Sequence, residues 1–309
     1  MVVKVINTNI IKYGGRKVNP LLSDAYDLHV HSAPDVLPRK MDDVEMAQRI
    51  ITSGMKGYAI KSHYFCTSER AETIRKIFPS CNAIGTITLN SSVGGINPMA
   101  VEMAGRSGAK LVWFPTVDSE HELAHLARSP SEKLPYWAKI KEQMKAEGIL
   151  SPTICILKDG KLKDEVFSVL DIIARFNMIL ATSHISKAEA FALVKAAKEH
   201  KVERIIITHV DFPSTFYTIE EQKELLKSGA FVEHCYTTPA TGKVAWEVAI
   251  EQIRAIGAKR VVLATDLGQT AGVFPDEGLA LYGEKLLANG FSEDDVRTMI
   301  VKNPASLIE

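Results

Sequence analysis

The sequence predicts a (β/α)₈ TIM barrel, and three observations predict it. Short, β-rich apolar runs alternate with helical patterns, which implies crossover connections and a parallel sheet. Eight such runs are spread over some 285 of the 309 residues, against the roughly 250 typical of that barrel. Most of the histidines fall where those runs end. An open doubly wound sheet shows the same alternation and is the alternative fold.

The strands are expected at residues 25–30, 57–61, 83–89, 110–116, 178–183, 204–208, 230–234 and 260–265, in runs such as RIIIT and RVVLAT. Helical patterns fill the gaps at 42–53, 68–77, 98–107, 132–147, 164–176, 187–200, 219–228 and 242–256, and continue past the last strand at 277–289 and 292–302. Several close on glycine, in AEGIL, KSGAF and AIGAK, as helix C-termini often do. Residues 151–163, SPTICILKDGKLK, break the alternation, and their KDGK reads as a hairpin turn inserted before strand five. Residues 1–24 are a short N-terminal extension and 25–309 the barrel domain.

Lys and Arg number 37, as do Asp and Glu, and this balance argues against nucleic acid as a partner. With 46% hydrophobic and 24% charged residues the chain is an ordinary globular one. No apolar run reaches the roughly 20 residues that span a bilayer, and the N-terminus lacks the features of a secretory signal. The four cysteines have irregular spacings that fit neither a disulfide framework nor a cysteine zinc site. A cytoplasmic protein acting on a small molecule is expected, with homo-oligomerisation left open.

Six of the nine histidines, His29, His31, His63, His184, His209 and His234, sit at or just past strand ends, and Asp266 does so after strand eight. In a parallel barrel those ends open onto one face, which carries the active site. Neutral imidazole and carboxylate are ligands for zinc and similar divalent ions. His29 and His31, two apart on a strand, point the same way and can chelate one ion. His184, His209 and Asp266 approach from strands five, six and eight. A divalent metal centre is expected, zinc first, with manganese or nickel as alternatives.

DLHVHS (27–32), ATSHIS around His184, IITHVD around His209 and LATD ending at Asp266 resemble the amidohydrolase superfamily of metal-dependent hydrolases. The tail VKNPASLI is similar to the segment that commonly follows the last barrel strand of that family. The resemblance implies that His29, His31 and Asp266 bind a first ion, that His184 and His209 bind a second or share a mononuclear site, and that Asp266 is also the general base. The expected activity is hydrolysis of an amide, ester or lactone by an activated water.

The chain departs from that family at the end of strand four, which reads WFPT, where many members carry a bridging carboxylated lysine or glutamate. Lys61, closing strand two, is the lysine expected at the metal face, either as a bridging carbamate or as an amine holding substrate. The extension is also too short for the β-sandwich of many relatives. DLHVHS followed by GYAIKSHYF is similar to the opening of the polymerase-and-histidinol-phosphatase phosphoesterases as well. Of that family's second motif only His63 matches, so a phosphoesterase ranks second, beside a barrel with a non-hydrolytic or binding role.

Substrate contacts are expected from Asp35 and Arg39 after strand one, from His63, and from His234 or its neighbour Glu233 at the end of strand seven. HELAH (121–125) matches the HExxH zinc-protease pattern. It lies inside an otherwise coherent barrel and lacks a third ligand at a fixed spacing, so a protease is set aside. Gly94–Gly95 lacks a phosphate-binding pattern and reads as a loop.

Overall fold

The computed structural model describes residues 19–128 and 135–309. Each expected strand forms: β1 (Tyr26–Val30), β2 (Gly57–Ile60), β3 (Asn82–Thr88) and β4 (Leu111–Trp113) precede an inserted hairpin of β5 (Leu157–Lys158) and β6 (Lys161–Leu162). β7 (Ile179–Ala181), β8 (Ile205–Ile207), β9 (Phe231–Cys235) and β10 (Val261–Ala264) complete the sheet. The eight long-range strands pair in the order β1-β2-β3-β4-β7-β8-β9-β10, all parallel. The hairpin turns through Asp159 and Gly160, both at positive φ (50° and 76°), as a two-residue turn between antiparallel strands requires.

The sheet curls into a nearly closed barrel. Its two edges meet past the strand ends, where His31 N donates to Leu267 O (2.8 Å) and Asp266 N to His29 O (2.8 Å). Lower in the seam a side chain does the work of a ladder: Asp27 accepts from Thr265 N (3.1 Å) and from Thr265 Oγ1 (2.5 Å). Burial alone pushes the Asp27 carboxyl up to about 7, against the pull of these bonds.

Alternation of side chains sorts the strands' residues into two cores. Tyr26, Leu28, Ala59, Ile84, Leu111, Trp113, Ile179, Ala181, Ile206 and Val262 fill the inside of the barrel. A larger cluster lies between the strands and the surrounding helices. Each fully buried Leu or Ile contributes about 1.5–3 kcal/mol relative to exposure.

The helical layer comprises α1 (Asp43–Ser53), α2 (Ser68–Ile77), α3 (Pro98–Arg106), α4 (Glu120–Leu126), α5 (Tyr136–Ala146), α6 (Asp164–Arg175), α7 (Lys187–Glu199) and α8 (Ile219–Leu226). It continues with α9 (Thr237–Ala240), α10 (Trp246–Ile256), α11 (Pro275–Ala288), α12 (Glu293–Arg297) and α13 (Asn303–Ile308). Capping boxes start α1, α7, α8 and α12, satisfying N–H groups that have no partner within the helix.

Three expectations change. The helix expected at 242–256 begins at Trp246, after the short α9. The one expected at 292–302 becomes α12 and a π turn, Thr298–Lys302, leading into α13, whose Leu307 and Ile308 join the barrel interior. α4 was not expected. Of the expected helix at 132–147, residues 132–134 lie outside the described residues, as do residues 1–18 of the N-terminal extension.

Candidate metal centre

The site begins with a fault in a strand. The β1–β2 register shifts between Asp27 and Val30. Within the shift His29 turns into the barrel, its ring centroid 4.6 Å from that of Trp113. His31 follows two residues later, 5.6 Å from His29 by ring centroid. His209 lies 4.9 Å from His29, and His184 lies 5.2 Å from His209. Asp266 closes the group: its Oδ1 is 3.2 Å from His29 Nε2 and 3.1 Å from His31 Nε2, and its Oδ2 is 3.9 Å from His209 Nε2.

Backbone geometry aims several of these groups. Ser183, His209 and Asp266, just past β7, β8 and β10, all adopt left-handed φ (57°, 54° and 53°). That conformation is uncommon for residues other than glycine and collects at functional sites. Gly268 is a glycine of necessity, since a Cβ there would stand 1.7 Å from the carbonyl oxygen of His31.

Three of the four histidines are held from behind. His29 Nδ1 donates to Glu233 Oε1 (3.2 Å), His31 Nδ1 to the Lys61 carbonyl (3.0 Å) and His184 Nδ1 to Glu122 Oε2 (3.0 Å). An acceptor on Nδ1 favours the tautomer whose other nitrogen, Nε2, is free to accept, as in metal-ligating histidines. The fourth, His209, is buried with an Nδ1 that has no partner.

The charges suit a cation. Burial, then Arg39, drives His31 down to about 3, and burial holds His63 and His209 well below the usual histidine range. Burial would raise Asp266, but His29, His31 and His209 outweigh it and hold the carboxyl well below its ordinary value. Neutral imidazoles facing an ionised carboxylate are the protonation states that metal binding needs. His29 is the exception: burial and Lys61 lower it, yet Glu233 and Asp266 raise it above its ordinary value.

Two overlapping donor sets could hold a divalent ion: His29, His31 and Asp266, and the buried His29, His209, Glu233 and Cys235. The first uses Nε2 atoms directed at a carboxylate. The second includes Cys235, whose Sγ is 3.6 Å from His29 Nδ1. The donor chemistry and the partnerless nitrogen of His209 fit such an ion.

The remaining expected residues are placed as follows. Lys61 is fully buried, its Nζ 2.8 Å from His29 Nε2 and 4.1 Å over the Trp113 ring. Burial pulls its amine below the usual lysine range despite Asp266 and Glu233. His63 meets Thr116 Oγ1 (2.9 Å) and its ring lies 4.9 Å from His31. Arg39 pairs with Asp35 (2.6 Å), and its Nη2 is 3.2 Å from His31 Nδ1.

His234 is a correction. Adjacent strand residues face opposite sides, and Glu233 takes the inward position beside His29. His234 points to the helical side, 3.3 Å from Asp211, with both residues fully buried. Its ring is thus on the other side of the strand from the His29 pocket that the sequence predicts for it.

Glu122 escaped sequence reasoning, although its signal was present in HELAH. Within α4, His121 Nε2 donates to the Ser214 carbonyl (2.6 Å) and Glu122 takes His184, so the segment braces the site. Gly94 and Gly95 form a loop, both at positive φ. They help line a surface cavity with Ile154 and Lys163, beside the hairpin.

A family profile described as "Family of unknown function (DUF6282)" matches residues 24–233. No curated protein matches the chain. Among solved structures, an amidohydrolase from Pseudomonas aeruginosa superposes with a TM-score of 0.59 at 13% identity, over 93% of this chain and 96% of that one. A lactonase from Listeria monocytogenes gives 0.53 at 16%, over 94% and 96%. A β-aspartyl dipeptidase from Fervidobacterium islandicum AW-1 gives 0.60 at 14%, over 93% and 72%. At these identities the likeness is one of fold, a barrel of eight parallel strands. Among the described residues no helix is long and apolar enough to cross a membrane.

Proposed function

The chain belongs to DUF6282, a family of unknown function, and from that premise we propose that it is a metal-dependent hydrolase of a small molecule with a scissile carbonyl. One observation carries the reading: four histidines and Asp266 converge at the C-terminal end of the barrel, with the Nδ1 of His29, His31 and His184 engaged from behind. The described activities of the fold-sharing proteins, an amidohydrolase, a lactonase and a dipeptidase, support an acyl substrate.

In this reading His29, His31 and Asp266 hold a divalent ion, zinc by the chemistry of the set, with His184 and His209 completing it or holding a second. A bound ion would lower the pKa of a water and polarise the scissile carbonyl. Asp266 is the base: Oδ1 faces His29 and His31, while Oδ2, steadied by Thr237 Oγ1 (3.2 Å), takes the water proton and returns it to the leaving group. His63 and Arg39, beside His31 with Asp35 bracing Arg39, are the substrate contacts. Lys61, its buried amine pulled below the usual lysine range, would take up CO2 with loss of a proton to give a carbamate oxygen donor, or as the free amine would hold substrate. The four free cysteines suit a reducing, cytoplasmic setting.

The test is a panel of lactones, esters, amides and phosphoesters, assayed with zinc, manganese or nickel and after chelation. Turnover of an acyl substrate that chelation abolishes is expected. Asp266→Asn should retain metal at saturating concentration and lose about 10²–10⁴-fold in kcat. Turnover insensitive to chelation, or no turnover by metal-loaded protein, overturns the reading.

A further inference from the structure

The chain from the end of β4 through α4 lies outside both donor sets, yet it grips His184 three times. His184 N donates to Pro115 O (3.1 Å), Ser119 Oγ donates to His184 O (2.7 Å), and His184 Nδ1 donates to Glu122 Oε2 (3.0 Å). Glu122 is itself fixed, buried to 6% exposure and accepting from Ser214 Oγ at 2.5 Å. His121, next to it, donates to the Ser214 carbonyl (2.6 Å). α4 therefore ties the loop after β7, which carries His184, to the loop after β8, which carries His209.

We propose that Glu122 is the positioning residue of the metal centre: its carboxylate, aligned by Ser214, sets the tautomer and ring orientation that make His184 Nε2 a ligand. The inference rests on the hydrolase reading above and adds a residue outside the donor set. The physical reason is twofold. A carboxylate on Nδ1–H leaves only Nε2 free to donate electrons, and it makes that nitrogen a stronger donor. It also fixes the His184 ring, which at 13% side-chain exposure is less enclosed than that of His209 at 2%.

The experiment is a cobalt(II) titration of the intact protein, read by the visible spectrum and by competition with a chelator, on wild type, Glu122→Gln, Glu122→Ala and Ser214→Ala. The glutamine variant keeps an acceptor for Ser214 but loses the charge. Its cobalt affinity should fall about 10–100-fold, with an altered spectrum. Alanine should lose more and Ser214→Ala less. If Glu122 only braced the fold, the metal-free melting temperature would drop while affinity and spectrum stayed within twofold of wild type, and the proposal is overturned. Should the Glu122 variants not fold, unchanged affinity and spectrum in Ser214→Ala overturn it. Wild type that binds no cobalt instead refutes the hydrolase reading itself.

Discussion

His234 and Glu233 show how side-chain parity decides a role. The sequence places both at a strand end but does not say which faces inward, because a shift of one residue exchanges the faces. His29, His31, His184, His209 and Asp266 were legible because each ends an apolar run, and their convergence needs only a parallel barrel. Glu122 was not, since its partners are 62 and 92 residues away in sequence. A thiol offers a test of burial at this scale. Cys81 is 1% exposed, and burial pushes it from 9.0 up to about 12. Between those values the unfolded chain releases a proton that the folded one keeps. The group's stabilising contribution is therefore complete below about pH 9 and is lost as pH rises toward 12. At pH 8 Cys81 should resist alkylation in the native protein and react readily in urea, while the partly exposed Cys66 reacts in both; peptide mass spectrometry reads the difference.

Elements with strong periodicity and clear stops were readable to within a few residues. The hairpin was readable too, because KDGK supplies its turn. α4 was missed because its seven residues, EHELAHL, are polar and gain their order from contacts with distant loops. α7 is held by local chemistry of the opposite kind. Ser186 Oγ caps its start, and Glu189 completes the box while accepting from Ile156 N (2.7 Å), which docks the segment leading into the hairpin. Ser186→Ala should cost about 1 kcal/mol, seen as a lower urea midpoint with an unchanged slope.

The whole molecule depends on how its sheet closes. Strand count in the sequence left an open sheet as the alternative, because closure is made by side-chain and loop bonds that periodicity does not encode. Asp27 supplies two of them to Thr265. Asp27→Ala leaves that N–H and hydroxyl without their acceptor in a buried seam, which should destabilise the fold by on the order of 1–3 kcal/mol. Amide exchange at Thr265 should accelerate more than at Thr86 in β3, whose neighbours are unchanged.

The pairing of His31 with Asp266 spans 235 residues of sequence. Ligands donated by the first and last staves cannot meet until synthesis has passed Asp266 and the sheet has wrapped. A ribosome-bound or C-terminally truncated product lacking the final stave holds only scattered imidazoles, so the chemistry is withheld from unfinished copies by topology alone.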